Sequence, residues 1–545
     1  MDKARAASMM IQLRATSICA FEPLAVQKAN LHHGKVFAYP AHMADTPVNI
    51  DGSALTISQV VSVARERTTV ILGDSVLDSM TRSRETVEQA ASGADAVYGI
   101  NTGFGALSRK QIDPESNRHL QLNLIRSHAS GVGEPLPVDT VRAMLLILAA
   151  SLARGHSGVR IELVRQIIAL LNAGITPVVP EVGSVGASGD LAPLSHAALV
   201  LVGEGEAFLD GQRVSGAEAL RSSGIEPITL EAKEGLALIN GTHLMAAQAS
   251  LSSFDIDRLM DAAIIAAAMA VDACLGTDAT LDARIHEIRR QPGQIEVARR
   301  MLSLLEHSEI VKSHQEDDPR VQDPYSLRAT PQVLGAALDS IAADRVVIER
   351  ELGAVTDNPL VFGDEIRSGG NFHGMPLAIA MDSIAIGIAN VAGISERRVY
   401  WLQASHDDFN RVPTHLSPQP GLHSGLMITQ YTAAACCNEL RILATPASVG
   451  NIPTAAGIED YNSMGATSGL KLRRAVMLAQ YVIGIELLTM SEAIEHHRPL
   501  SSGDGVEHAH AAIRRLVPPL TEDRPPAPDI EAIVGLIRAG ALSGG

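Results

Sequence analysis

The chain has 545 residues, 46% of them hydrophobic and 19% charged; that is longer than one ordinary core, so two or three domains or one elongated helical body are expected. A formal net charge of -17 argues against nucleic acid as a partner, because phosphate binding needs concentrated Lys and Arg. Aromatics make up only 3%, which favours close-packed, mainly α structure, and the four cysteines (Cys19, Cys274, Cys436, Cys437) give neither a disulfide framework nor a zinc spacing, which points to a reducing, cytoplasmic compartment.

Residues 1–46 are mixed in charge and weakly periodic, and they lack the basic and apolar regions of a secretory signal, so a loosely ordered extension or an artefact of the chosen start codon is expected, and no function is placed there. Val48-Asn49-Ile50-Asp51-Gly52 reads as a strand and turn, and Ser58 as the cap of a helix through Val60, Val61 and Ala64. Tyr98-Gly99-Ile100-Asn101-Thr102-Gly103-Phe104-Gly105 is a glycine-spaced loop whose backbone bends sharply or moves as a lid. Ser127 and His128 follow at a helix-to-loop junction, where a lone His is ordinarily structural. Asp139 is expected to cap a helix that Gly155 ends, and a second helix is expected from about Arg160 to Asn172 with Gly174 as its stop. The apolar runs 143–153 and 259–275 read as buried helices: the first is too short to span a membrane, and the second carries Asp261 and Asp272.

Pro180-Glu181-Val182-Gly183-Ser184-Val185-Gly186-Ala187-Ser188-Gly189-Asp190-Leu191 is a tight backbone that then enters a helix. When such a loop is squeezed, the Gly189 nitrogen can attack the Ala187 carbonyl, since no side chain obstructs either partner. Loss of water from the ring and from Ser188 then leaves a five-membered ring with an exocyclic methylene, an electrophile that no unmodified side chain supplies. Further on, Asp210-Gly211 marks a hairpin tip, Asn240-Gly241 an ordinary turn, and 247–291 a helical stretch that opens a long bundle. Gln322, Tyr325 and Arg328 stand in a loop entering another helix, where a single Arg is usually a solvated charge. Asn371 and Phe372 lie in a glycine-hinged approach, and Glu459 opens an acidic pair in a loop, commonly solvent-facing. His496-His497 has no nearby Cys or second carboxylate pattern, which argues against a metal site.

The unbroken run Gly183-Ser184-Val185-Gly186-Ala187-Ser188-Gly189-Asp190-Leu191-Ala192-Pro193-Leu194-Ser195-His196 closely resembles the signature of the histidine and aromatic amino acid ammonia-lyases, in which this Ala-Ser-Gly becomes a 4-methylidene-imidazol-5-one (MIO). The remaining motifs follow in that family's order, from about residue 48 to 545. The resemblance implies a mainly α fold: a smaller mixed N-terminal domain carrying the MIO loop at 47–248, a central bundle of long helices at 249–490 and a C-terminal helical segment at 491–545. It implies an MIO formed autocatalytically from Ala187, Ser188 and Gly189, with no metal or added coenzyme. Tyr98 would remove the β-proton, and Ser127 with His128 would line the pocket for the substrate side chain. Arg328 would hold the substrate carboxylate in its planar fork. Asn240 and Tyr325 would lie beside the prosthetic group or substrate, Gln322, Asn371 and Phe372 near the substrate, and Glu459 against its ring.

Ser-His at 127–128, the wording from Gln322 to Arg328, and Glu459 are typical of histidine-specific members, whereas Met375 stands where those members often have Glu. The expected reaction is therefore L-histidine to trans-urocanate and ammonia. Phenylalanine or tyrosine deamination and tyrosine 2,3-aminomutation are the alternatives, and a non-catalytic helical scaffold is the reading from another class. Relatives assemble as tetramers whose active sites draw on several chains, which implies a homotetramer with a small-molecule amino acid as its substrate.

Overall fold

The structure, a computed structural model, describes residues 46–93, 95–103, 112–113, 116–316, 318–404, 409 and 412–542. The extension expected over 1–46, apart from Thr46, lies outside the described residues, as do Phe104 and Gly105 of the glycine-spaced loop. The N-terminal part threads short strands between helices: β1 (Val48–Ile50), α1 (Ile57–Arg65), β2 (Val70–Leu72), α2 (Leu77–Ser92), α3 (Asn117–His128), β3 (Val132–Pro135), α4 (Val138–Ala153), α5 (Ile161–Asn172), β4 (Thr176–Pro177), β5 (Pro180–Val182), α6 (Leu191–Leu201), β6 (Glu206–Leu209), β7 (Gln212–Ser215), α7 (Gly216–Ser222) and α8 (Glu234–Ile239). The described remainder is helical around one small hairpin: α9 (His243–Ala273), α10 (Ala283–Arg289), α11 (Pro292–Leu304), α12 (Glu309–Lys312), α13 (Tyr325–Arg328), α14 (Thr330–Glu351), β8 (Leu360–Phe362), β9 (Glu365–Arg367), α15 (Met375–Ala404), α16 (Met427–Leu443), α17 (Gly465–Glu495), α18 (Asp504–Arg514) and α19 (Ala527–Ala539). The fold is thus mainly α, as composition and resemblance imply.

β1 pairs in parallel with β2, Val48 opposite Val70, and β3 pairs antiparallel with β5. β4, β6 and β7 form a three-stranded antiparallel sheet. The β6–β7 turn is Asp210-Gly211, with φ of 49° and 77°, the two positive values that a two-residue hairpin turn requires.

Two caps differ from expectation for local reasons. Thr56, not Ser58, caps α1: its Oγ1 accepts from Gln59 N at 3.2 Å while Gln59 Oε1 takes the Thr56 N–H at 2.9 Å, a reciprocal box. Ser58 already lies inside the helix. α4 enters from the extended Pro137, and Asp139, in its first turn, binds Arg65 of α1 at 3.1 Å instead of capping. Arg142 of α4 is buried and donates to the carbonyls of Val63 (2.9 Å) and Leu171 (3.0 Å), spare acceptors at the C-terminal ends of α1 and α5.

α9, α15 and α17 contain 31, 30 and 31 residues, so each is roughly 45 Å long. They run parallel. At their starts a Cβ on Gly374 or Gly465 would run into Met245; at their ends His497 Nε2 lies 3.0 Å from the Ala273 carbonyl oxygen, and Arg398 of α15 is ion-paired with Glu486 of α17, both fully buried. α14 returns the other way, from Thr330, 3.2 Å from Arg398, to Glu351, 2.5 Å from Thr242. Alanine-rich faces let these helices approach closely, and the acids of the run 259–275 are partnered: Asp261 by Arg300 at 2.8 Å, Asp272 by Ser308 at 2.6 Å. That run is a core helix, as expected. α15 and α17 are long and apolar enough to cross a membrane, yet α17 is enclosed by α9, α15, α16 and α19.

The helix expected over 247–291 begins earlier and stops sooner. Leu275 takes a left-handed φ of 52° before Gly276, and Thr277 and Asp282 each cap a new short helix. Cys274, Cys436 and Cys437 are free thiols.

Candidate active site

Sterics fix the tripeptide loop. Gly189 has φ 74°, and a Cβ there would be driven into the Gly241 carbonyl; on Gly186, φ 71°, it would strike Ser463 Oγ. The flanks are pinned by Asp190 N–H to Gly241 O (2.7 Å), Gly241 N–H to Ser188 O (3.4 Å), Ser463 Oγ to Gly186 O (3.0 Å) and Ser184 Oγ to Gly189 O (3.2 Å). The two groups that would have to join are left over: among the described residues neither the Gly189 N–H nor the Ala187 carbonyl has a hydrogen bond. A backbone clamped on both sides, with its nitrogen nucleophile and its carbonyl unengaged, fits the ring closure that makes an MIO. Ser188 Oγ, the oxygen such a closure expels, donates to Glu459 Oε1 at 2.9 Å.

Four helices begin here. α6 follows the loop directly, α9 starts at His243 beside Gly241, and the starts of α15 and α17 are tied to it by Gly374 N–H to Gly186 O (3.4 Å) and Met464 N–H to Val185 O (2.9 Å). Their spare N–H groups give the loop a positive field that favours carboxylates and polarises an electrophile. Asp190 answers that field. It stands at the start of α6 but makes no side-chain bond there; Oδ2 accepts instead from Leu244 N (2.9 Å) and Met245 N (3.0 Å) of α9, and Oδ1 from Ser184 Oγ (3.2 Å). Burial pushes its pKa up to about 7 against those bonds. His243 is pushed down to about 4 by the same loss of water, with Asp357 acting the other way and Arg154 reinforcing it. Neither of its ring nitrogens has a hydrogen-bond partner among the described residues.

Tyr98 is half-buried against the main core. Its loop rests on α8 and the chain after Asn358: a Cβ at Gly99, φ 75°, would meet Leu236 Cδ2 at 2.5 Å and Pro359 Cδ at 3.2 Å. Leu236 lies one helical turn before Asn240, which is 3% exposed. Ser127 and His128 close α3, with His128 Nδ1 3.0 Å from Ser127 Oγ and 2.9 Å from the Leu124 carbonyl oxygen. The turn after them is held by Gly131 N–H donating to His196 Nε2 at 3.1 Å, which makes His196 a neutral ring protonated at Nδ1, in keeping with the downward pull of burial on its pKa. Gly131 lies against the loop's edge, since a Cβ on Gly183 would stand 3.0 Å from Gly131 Cα and 3.1 Å from Ala192 Cβ. Asn371 and Phe372 sit between Val355, whose carbonyl accepts from Asn371 Nδ2 at 3.4 Å, and Tyr461, whose carbonyl oxygen is 3.0 Å from His373 Nε2.

Gln322, Tyr325 and Arg328 are elsewhere. Thr277 N–H donates to Asp323 Oδ2 at 2.8 Å, and a Cβ on Gly276 would touch Asp323 and Leu327 at 3.4 Å, so α13 abuts the C-terminal end of α9 while the tripeptide abuts the other. Roughly 45 Å of helix separates them. Tyr325 is 74% exposed, and Arg328 donates to Gln322 Oε1. One chain therefore joins Glu459 to Ser188 and sets Asn240 next to Gly241, the loops that carry Tyr98, Ser127, His128, Asn371 and Phe372 adjoin the segments holding the tripeptide, and the other three lie apart. Lys233, His243 and Asp357 do not stand out in the sequence: each lies in a short polar stretch that reads as a turn or helix start, and Lys233 and Asp357 meet across 124 positions.

The chain matches the sequence profile of the aromatic amino acid lyases over residues 55–515. It is 45% identical to the histidine ammonia-lyase of Myxococcus xanthus over 502 residues, covering 92% of this chain and 98% of that one. Its fold superposes on the histidine ammonia-lyase from Trypanosoma cruzi with a TM-score of 0.84 at 38% identity, covering 91% and 94% of the two chains. On the tyrosine aminomutase from Streptomyces globisporus the TM-score is 0.85 at 36% identity, covering 91% and 98%.

Proposed function

The chain belongs to the aromatic amino acid lyase family, and on that premise we propose that it eliminates ammonia from L-histidine to give trans-urocanate, using an MIO closed from Ala187, Ser188 and Gly189. The observation that carries the choice of substrate is the 2.9 Å hydrogen bond between Ser188 and Glu459. A carboxylate at the tripeptide suits an imidazole N–H, and a phenyl ring offers it no partner.

The MIO supplies an electrophile that makes the substrate amine a competent leaving group. The side chains do the rest. Arg328 clamps the carboxylate, while Glu459, Ser127 and His128 orient the ring, and Asn240, Gln322, Tyr325, Asn371 and Phe372 complete the walls. Tyr98, as phenolate, takes the β-proton; the Cβ–H electrons become the Cα–Cβ double bond as the Cα–N bond breaks and ammonia departs. Because α9 holds Arg328 roughly 45 Å from Ser188 of the same chain, the clamp at each tripeptide comes from another copy. A cytoplasmic homotetramer with shared sites, the assembly the family resemblance implies, would supply that copy.

Incubation with L-histidine should generate urocanate absorbance, and Ser188→Ala should reduce the rate by at least about 10³-fold without unfolding the protein. Intact mass should show the wild-type tripeptide lighter by two waters and the variant unchanged. Cinnamate or coumarate in place of urocanate would reject histidine, and a β-amino acid product would point to aminomutation.

A further inference from the structure

The Asn240 amide nitrogen is turned to Asp357 and Asn358. Nδ2 lies 3.4 Å from Asp357 Oδ1 and 3.3 Å from the Asn358 carbonyl oxygen, whereas Oδ1 of Asn240 is bonded to no described residue. Behind it stands an ion pair sealed from water: Lys233 Nζ is 2.5 Å from Asp357 Oδ2, with side-chain exposures of 0% and 1%. Asp357 Oδ1 also accepts the Asn358 N–H at 2.6 Å, and Asn358 Oδ1 accepts from Gly369 N at 2.7 Å and Ser368 Oγ at 3.2 Å, so the second acceptor for Asn240 is fixed as well.

Lys233 is an improbable place for a cation on grounds of stability. It has a left-handed φ of 71°, and a buried ion pair commonly contributes less than apolar residues of the same volume. Its geometric result is that the Asn240 amide nitrogen faces two acceptors, Asp357 Oδ1 and the Asn358 carbonyl, which leaves Oδ1 of Asn240 as the group free to accept. We propose that Lys233 and Asp357 are positioning residues for the reaction, which hold Asn240 with its carbonyl oxygen toward the site as an acceptor for the N–H of the substrate's amino group. The inference rests on the reading of Asn240 as a site residue. With the amide reversed, its NH₂ would oppose the substrate's own donors.

The test is a double-mutant cycle on the full enzyme. In Asp357→Asn, Lys233 Nζ holds the remaining oxygen, so the new NH₂ takes the place of Oδ1, gives up the Asn358 N–H that Oδ1 accepted and faces Asn240, which drives that amide to reverse. The expected loss in kcat/KM for histidine is about 100-fold in the wild-type background and under about threefold in Asn240→Ala. Intact mass should show the same two-water loss in every variant. Imidazolepropionate, which lacks the amine, should inhibit wild type and Asp357→Asn with inhibition constants within about twofold of each other.

Equal losses in both backgrounds, no loss in wild type, or parallel weakening of imidazolepropionate would overturn the assignment. An unchanged rate in Asn240→Ala alone would instead remove Asn240 from the site and the inference with it. Should Asp357→Asn not fold, Lys233→Met with Asp357→Leu replaces the pair by apolar groups and is read in the same cycle.

Discussion

At the N-terminal end of α9 the tripeptide is enclosed by four helix starts, and Asp190, Ser184, Gly241 and Ser463 tie its flanks down within one chain. At the C-terminal end α13 carries Tyr325 at the surface and Arg328 beside Gln322. On the proposed function the difference follows from what each end would have to do. A backbone that condenses with itself needs compression from all sides before any substrate arrives, so its frame is complete in the monomer. A carboxylate clamp needs no frame of that kind and can be delivered across an interface, which leaves Arg328 half-buried beside the exposed Tyr325 in a single chain.

The largest test of that contrast is complementation. Ser188→Ala and Arg328→Ala should each lose at least about 10³-fold in kcat/KM. Co-expressed at equal levels, they should recover roughly a quarter of wild-type activity, because random assembly leaves that share of sites with an intact tripeptide from one chain and an intact Arg from another. No recovery in a verified mixed oligomer would mean that each chain completes its own site.

How much of this was legible in the chain depends on whether the physics is local. The tripeptide was legible as a tight glycine-rich turn, because that is a demand of contiguous backbone, whereas its reading as a ring-closing loop came from the resemblance of the whole run 183–196. The hairpin at Asp210-Gly211 and the stops at Gly155 and Gly174 were legible for the same reason, since each is a demand of one residue's backbone. The capping hydroxyl of α1 was misplaced by two positions, as Thr56 and Ser58 are equivalent until Gln59 is seen to answer Thr56. Glu459 meets Ser188 across 271 positions, and only resemblance pointed to it. That Arg328 and Ser188 lie at opposite ends of α9 is invisible in one dimension, because chain order does not record which way a helix runs.

Burial at the enclosed end sharpens the contrast through pH. The folded-state pKa of His243 is lowered to about 4 from an ordinary 6.5, so its contribution to stability is present above 6.5 and lost as pH falls toward 4. Asp190, raised to about 7 from 3.8, contributes below 3.8 and loses that contribution as pH rises through 7. The two oppose each other in the same window. His243→Gln removes one of them, so on going from about pH 7.5 to about pH 5 the variant should gain about 2 kcal/mol relative to wild type. Urea unfolding at both pH values measures it, and a difference independent of pH would mean that the folded His243 titrates normally. Arg328→Ala, at the open end, should show no such dependence.

The smallest effect separates stability from either end. Thr56 and Gln59 satisfy two backbone donors at the start of α1 through bonds of 3.2 and 2.9 Å, and α1 packs on α4 and α9 without supplying a group to the site. Thr56→Ala should therefore cost about 1 kcal/mol of unfolding free energy, and Ser58→Ala, inside the helix, less than about 0.5 kcal/mol. Neither should change kcat/KM for histidine or the two-water mass loss. Were Thr56→Ala to slow turnover in proportion to its stability loss, activity would be tracking global stability, and the losses assigned to Ser188, Arg328 and Asp357 would each have to be corrected for it before either end of α9 could be credited with a role.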